Sequence, residues 1–381
     1  MRIVHTALRY PPASGGAETY IQNIVERTRD IEAGRDVRVL TSRMRTHGPI
    51  SELDPELLVD DPPYVQRLHH ASTLGISYPR LQALRYYLGH HKPDVLHGYG
   101  FWYQPADTAA RYALHHHIPF IFHPIYYENE IRQKAVWQLY KQVIGRKTFA
   151  TADIVVVISP QEQQLIEQAG FPVNRFELIP PGIDTSRFET TCPNPFMERE
   201  IAGPILLSVS RIAESKGIQD IIAILPDIIR IVPDLQYVIV GEDFGYRETL
   251  LQQANIVGVS DHLHFLGKVS DTELAGAYQH ADVFVHPSHY EAFGIVVAEA
   301  LAAGTPVVAR NASAIPFVAP HEKAGLLCST SEEFTRSITT LLQNPGLRQQ
   351  YGAQGKQRVV KEFGWDKVIK KVVALYDSLD K

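Results

Sequence analysis

Short β-branched runs alternate with longer amphipathic segments throughout this chain, and after a proline-rich interruption the alternation begins again. Strands read at Ile3–Ala7, Val37–Thr41, Val65–Leu68, Asp94–His97, Phe120–Phe122 and Ile154–Ile158. Helical periodicity falls between them, at Ala17–Asp30, Arg80–His90, Ala106–His115, Glu130–Thr148 and Gln161–Ala169. A parallel neighbour can be reached only by a crossover, so such alternation predicts parallel sheets with helices on both faces. The stretch from Pro180 to Pro204 is poor in structure. Strands then recur at Ile205–Val209, Tyr237–Val240, Leu263–Leu266, Val283–Val285 and Val307–Ala309, and from Ser331 onward only helix is read. A chain of 381 residues is too long for one ordinary core. The expected fold class is α/β, two Rossmann-like doubly wound domains over residues 1–184 and 185–364.

Ligands of such sheets bind beyond the carboxyl ends of the strands, which directs attention to four segments. Pro11-Pro12-Ala13-Ser14-Gly15-Gly16-Ala17-Glu18 follows the first strand. Its Gly15-Gly16 pair lets backbone approach an anion at a helix N-terminus, although paired glycines in a strand–helix turn are as often structural. It matches neither a Walker loop nor a G-x-G-x-x-G fingerprint. In Ser208–Gly217 a strand ends in Arg211, and Lys216 follows five residues later. Two cations at one strand end suit a diphosphate, the guanidinium as a planar fork and the ammonium as a point charge. Alone, this pair fits two solvated charges better.

Glu291 and Glu299 are separated by seven residues and bracket Phe293 and Gly294. Ile295–Ala303 is apolar and helix-forming, with Gly304 as a C-cap and Pro306 preventing continuation. A glutamate inside so apolar a helix needs a partner, and ribose hydroxyls would serve. The helix start offers free amides for a phosphate. The last segment, Pro119–Pro124, places His123 at a strand end, where it would face the ligand. His97 has the same placement and precedes the aromatic run Tyr99, Phe101, Trp102 and Tyr103, an acceptor platform or a core filling. His97, Tyr99 and Trp102 are the acceptor-side candidates.

Composition excludes other classes. A net charge of -5 gives no reason to expect nucleic acid, and Cys192 and Cys328 form no disulfide or metal pattern. Adjacent helical histidines such as His115-His116-His117 diverge and do not share an ion easily, so no metal is expected. No apolar run of ~18 residues occurs, and the N-terminal strand is too short for a signal-peptide core. The expected location is the cytoplasm, with any membrane contact peripheral and at the inner face. The segment Glu130–Thr148, with Arg132, Lys134, Lys141, Arg146 and Lys147, reads as a core-packed helix with a solvated basic face or, less favoured, as a helix meeting anionic lipid.

In this order the segments resemble the retaining glycosyltransferases of family four, with the GT-B fold. The resemblance covers nearly the whole chain. It includes the glycine turn above, Ala152–Ser159, Ile179-Pro180-Pro181-Gly182-Ile183-Asp184, Ser210-Arg211 with Lys216-Gly217, Val240-Gly241-Glu242, Phe265-Leu266-Gly267 and the Glu291…Glu299 element. It implies domains facing across a cleft, with a final helix from about Trp365 packing back on the first. It also implies that Arg211 and Lys216 hold the donor diphosphate, helped by the Gly16 amide. Glu291 would hold sugar hydroxyls and Glu299 the ribose, amides of Phe293, Gly294 and Ile295 would contact sugar and phosphate, and Lys268-Val269 would lie near the base. The implied catalytic set is His123, Arg211, Lys216 and Glu291, without metal or other cofactor.

One departure stands out. Where the family often carries Gly-Gly-x-x-Glu, this chain has Ser313-Ala314-Ile315-Pro316-Phe317, and Phe317 cannot accept a hydrogen bond. The expected function is retaining transfer of a hexose from a nucleotide diphosphate sugar to a hydroxyl of a glycan, a lipid-linked glycan or a small molecule. The competing readings are a nucleotide-sugar epimerase and a non-catalytic sugar-nucleotide binder of the same fold.

Overall fold

The structure, a computed structural model, describes residues 1–13, 15–31, 34–45, 52–53, 55–58, 61–73, 76–127 and 134–380. It divides into two compact units, Met1–Pro180 with Val368–Lys381, and Pro181–Lys367. The first join therefore lies at Pro180/Pro181, four residues ahead of the boundary drawn from sequence.

The first unit contains β1 (Arg2–Thr6), β2 (Asp36–Ser42), β3 (Val65–Leu68), β4 (His70–Thr73), β5 (Ile76–Leu81), β6 (Val95–Tyr99), β7 (Phe120–His123), β8 (Ile154–Val157) and β9 (Phe176–Leu178). Its main sheet runs β3-β2-β1-β6-β7-β8-β9, parallel at every pairing, with β4 and β5 as a separate antiparallel ribbon. The central strands are buried on both faces, which explains their unbroken apolar runs. Val4, Leu40, Leu96, Phe120, Phe122 and Val155 form one core with Leu88, Ala109 and Phe149 from the covering helices.

The second unit contains β10 (Ile205–Val209), β11 (Gln236–Val240), β12 (Leu263–Gly267), β13 (Val283–His286), β14 (Val307–Arg310) and β15 (Gly325–Cys328). Its order is β12-β11-β10-β13-β14-β15, again all parallel. Both orders are those of a doubly wound sheet that starts at its centre and reverses direction once. The reversals fall between β1 and β6, and between β10 and β13.

Several local expectations are corrected. Arg80 lies in β5, and the helix read at Arg80–His90 begins only at Leu84, because Ala83 at its N-cap takes a left-handed backbone (φ 55°). The segment read as Glu130–Thr148 is helical at Lys134–Tyr140 and Arg146–Thr151, with a π turn over Lys141–Gly145 between them. Residues 130–133, including Arg132, lie outside the described residues, as does Ser14. The stretch from Pro180 to Pro204 holds two 3-10 turns, Thr185–Phe188 and Met197–Arg199. The final helix, Trp365–Asp377, starts in the second unit and belongs to the first from Val368 onward.

Candidate active site

The second unit gathers its polar groups where the strand order reverses. Beyond β10 the chain is tied to the loop after β11, since Ser210 N donates to Val240 O at 3.0 Å and Ile212 N to Glu242 O at 2.9 Å. Gly241 makes this approach possible, because a Cβ there would sit 1.9 Å from Ser210 O. The result is an exposed Arg211 whose guanidinium lies 5.3 Å from the Phe244 ring centroid. A 3-10 turn, Glu214–Lys216, follows and ends on Gly217 with φ 71°. A Cβ at Gly217 would meet Pro287 O at 2.4 Å, so the turn packs directly on the chain leaving β13.

That packing brings Lys216 to Glu291. Lys216 Nζ lies 2.6 Å from Glu291 Oε1, and both side chains are largely shielded, at 15% and 17% exposure. The buried His286, the last residue of β13, places Nε2 3.1 Å from the same oxygen. Burial alone would raise the Glu291 pKa; the His286 ring and Lys216 ammonium outweigh it and hold the carboxyl down at about 2. Glu291 is thus an oriented carboxylate with one oxygen, Oε1, engaged by both neighbours. It is able to accept hydrogen bonds from ligand hydroxyls.

Immediately beyond, Gly294 caps the helix Ile295–Ala303 in a left-handed conformation, φ 96° and ψ 57°. Its O takes the amides of Val297 and Ala298, at 3.0 and 3.1 Å. The amides ahead of those have no intrahelical partner, by the geometry of any helix start, and carry the positive end of the dipole. Phe293 is buried with its ring edge-on to Phe363 at 5.3 Å, and Phe317 joins both, 6.3 Å and 5.6 Å away. The aromatic residue standing where the family pattern has glutamate therefore builds an apolar prop behind the loop.

Glu299 is partnered within the protein. Tyr278 donates to Oε2 at 3.0 Å, and Arg187 Nη1 lies 3.4 Å from Oε1. Its pKa is raised by burial, against the opposing pull of Arg187 and the tyrosine hydroxyl. The partner that a carboxylate inside so apolar a helix needs is thus supplied by the chain itself, from Tyr278 and Arg187. Lys268 is exposed and Val269 half-buried at the carboxyl end of β12, on the same edge of the sheet.

The acceptor-side and histidine candidates belong to the first unit, and most are corrected. His97, Tyr99 and His123 are enclosed, at 1%, 1% and 0% exposure. His97 Nδ1 bonds the Tyr376 hydroxyl at 2.9 Å, and Tyr99 OH meets His5 Nδ1 at 3.0 Å. His123 lies against Tyr20, Tyr99 and His97, and among the described residues neither ring nitrogen has a hydrogen-bond partner. Burial lowers its pKa to about 3, as it does for His5. These side chains fill the core because a central strand is covered on both faces up to its end.

Trp102 fares differently. It is half-buried and lines a hollow of about 250 Å³ at the reversal between β1 and β6, together with Arg9, Glu18, Tyr103, Tyr127 and Trp137. Arg9 and Glu18 form a buried ion pair at 2.5 Å. Gly15 and Gly16 open the adjoining helix, Gly16–Ile31. Sequence reasoning missed Arg9, Arg187, Tyr278 and His286. His286 alone carried a usable signal, a strand-terminal histidine five residues before Glu291.

Comparison with known proteins places this geometry in context. Residues 199–358 match the family described as glycosyl transferases group 1, and residues 14–187 match glycosyltransferase family 4. The GDP-mannose-dependent alpha-(1-6)-phosphatidylinositol monomannoside mannosyltransferase of Mycobacterium tuberculosis is 32% identical over 236 residues, 58% of this chain and 60% of that enzyme. The MMP alpha-(1->4)-mannosyltransferase of Mycolicibacterium hassiacum is 27% identical over 273 residues, 68% of this chain and 64% of its own. The matched stretch is thus under two thirds of either relative's length. Among solved structures, sucrose-phosphate synthase from Thermosynechococcus elongatus superimposes with a TM-score of 0.78 at 23% identity, over 99% of this chain and 98% of that one. Anabaena HepE in complex with UDP gives 0.80 at 20% identity, over 99% and 100%. The fold is GT-B, and the chain belongs to the group 1, family 4 glycosyltransferases.

Proposed function

We propose that this protein is a retaining hexosyltransferase that moves a sugar from a nucleoside diphosphate onto an acceptor hydroxyl. The observation that carries the reading is the cluster of Lys216, Glu291 and His286 at the strand-order reversal of the second unit, with Arg211 on the adjoining strand end. Arg211 and Lys216 take pyrophosphoryl oxygens, and the amides at the start of Ile295–Ala303 add positive charge where the leaving group develops negative charge. Glu291, fixed by its two neighbours, accepts from hydroxyls of the transferred sugar, and Glu299, one turn into the helix Ile295–Ala303, serves the ribose. Lys268 and Val269 border the base.

The bond between the anomeric carbon and the diphosphate oxygen breaks. A new bond to the acceptor oxygen forms on the same face, and the acceptor proton passes to the departing phosphate. With two cations and a helix terminus supplying charge, this scheme calls for no metal. His123 is left out of it, being enclosed. Trp102 and its hollow are the acceptor-side candidates that remain, for a glycan or lipid-linked acceptor, and the proposed location is cytoplasmic. Relatives named as mannosyltransferases support a nucleotide-sugar donor.

The test is incubation with UDP, GDP and ADP sugars and candidate acceptors, followed by NMR of the product linkage. Release of nucleoside diphosphate with the donor's anomeric configuration preserved is expected. An isomerised nucleotide sugar without released diphosphate would replace this reading by an epimerase. Binding with neither outcome would leave a sugar-nucleotide binder.

A further inference from the structure

The first unit carries a second concavity that the transfer chemistry leaves unused. It measures about 700 Å³ and is bordered by β5, the helix Leu84–His91 and the helix Gln104–His116. Arg80, Arg85 and Arg111 line it with Gln82 and Thr108, and no carboxylate is found in its described lining. All three arginines are exposed. Thr108 Oγ1 accepts from Arg111 Nη2 at 3.3 Å, which helps to fix that guanidinium at the rim. Three guanidinium forks around one hollow match the oxygen geometry of phosphate groups.

Arg111 also borders an adjoining hollow of about 590 Å³, whose lining includes Leu114, Val143 and Lys147. The one carboxylate there, Asp107, is buried and already accepts from the hydroxyls of Tyr140 at 2.9 Å, Thr148 at 2.6 Å and Tyr78 at 2.5 Å. Exposed apolar side chains stand in this lining, at Leu114 and Val143, and about one turn before Val143, at Leu139. Leu114 and Leu139 are each 65% exposed and Val143 is 46% exposed. On the run Lys134–Thr151, which has no acidic residue, Arg146 and Lys147 are exposed, whereas Lys141 is buried against the rings of Tyr126 and Phe171.

Cations alone would suit any polyanion, and leucines alone any apolar partner. Exposed leucines interleaved with acid-free cations fit a surface with anionic phosphates above an apolar layer. Long arginine stems lie along apolar surface while their heads stay at the phosphates. We infer that this face seats on an anionic lipid bilayer, with Arg80, Arg85 and Arg111 at headgroup phosphates and Leu114, Leu139 and Val143 entering the acyl boundary. The inference does not depend on the transfer reaction, and its test uses no sugar.

The full chain is sedimented with vesicles of phosphatidylcholine, with and without phosphatidylglycerol. Binding is expected only where phosphatidylglycerol is present, weakening as salt rises. The triple variant Arg80→Gln/Arg85→Gln/Arg111→Gln is expected to lose affinity on the order of a hundredfold, whereas the matching triple lysine variant keeps most of it. Leu114→Ser/Leu139→Ser is expected to lose roughly tenfold or more. Thermal unfolding midpoints close to the parent's identify the variants that have kept their fold. Equal binding to both vesicle types, or unchanged binding by folded glutamine and serine variants, overturns the inference. So does complete displacement by millimolar inorganic phosphate, which would assign the hollow to a free anion.

Discussion

Glu291 combines a shielded position with two positively disposed neighbours, and its behaviour in acid follows from that. Its pKa is depressed in the fold, from 4.5 to about 2. The stability it contributes is therefore complete above the unfolded value and is lost as pH falls from about 4.5 towards 2, on the order of 3 kcal/mol. Glu291→Gln should flatten the acid limb of the stability curve by close to one proton in that window, measured by urea unfolding at stepped pH. Arg211 stands exposed over Phe244, so Arg211→Ala should melt as the parent does. Its turnover should fall about 10²–10³-fold, a loss typical when charge stabilisation of a leaving group is removed. Lys216→Ala should lose at least as much, and EDTA should leave the parent's rate unchanged. Near-parental rates in both variants would remove the diphosphate assignment. These residues were legible because strand ends in parallel sheets are ligand edges. The same rule misled at His97 and His123, since sequence does not show how far neighbouring helices cover a strand's last residue. It could have found His286, which ends the run Val283–His286.

At the scale of elements, two glycines set where the cations stand. Gly241 lets the loop after β11 lie against Ser210, and Gly217 lets the Lys216 turn lie against Pro287. A side chain at Gly217 meets backbone rather than a yielding side chain, and its φ of 71° is costly for an L residue. Gly217→Ala should destabilise the second unit by about 1–3 kcal/mol and reduce turnover more than its melting shift explains, because Lys216 no longer reaches Glu291. Calorimetry alongside a diphosphate-release assay separates the two effects. A variant with parental turnover would show that the turn does not position the ammonium. The main strands were readable from apolar runs, since both sheet faces are covered. The three-residue β9 was too short to show a period, and β15 begins with a glycine and contains no β-branched residue to mark it as a strand. The ribbon of β4 and β5 was lost for another reason: Leu81, Leu84 and Leu88 have helical spacing, yet Leu81 closes a strand and Ala83 breaks the path between them.

Taken as a whole, the molecule is a pair of like-ordered sheets with separate sensitivities. A donor nucleotide held by the second unit should raise the unfolding midpoint in proportion to ligand concentration over Kd. Thermal-shift curves with UDP, GDP and ADP sugars should single out one base. Acid should reach the first unit earlier, before the Glu291 window opens, because His5 and His123 are held neutral by burial, from 6.5 to about 3. Their depressed values mean that stability is full above about 6.5 and drains as pH falls towards 3. His123→Phe should remove one proton from that slope, as read by near-UV circular dichroism; an unchanged slope would mean that the ring is solvated. Tyr376, on the last helix, closes this histidine cluster through His97, and Val368, Ile369, Val372 and Leu375 are buried beside it. The first unit is thus assembled from two stretches of chain with the whole second unit inserted between them. During synthesis its opening 180 residues emerge from the ribosome lacking one wall, with His97 and its neighbours uncapped. A nascent chain arrested before Val368 should be cut by protease at the β1–β6 core, and become resistant there once Tyr376 has cleared the exit tunnel.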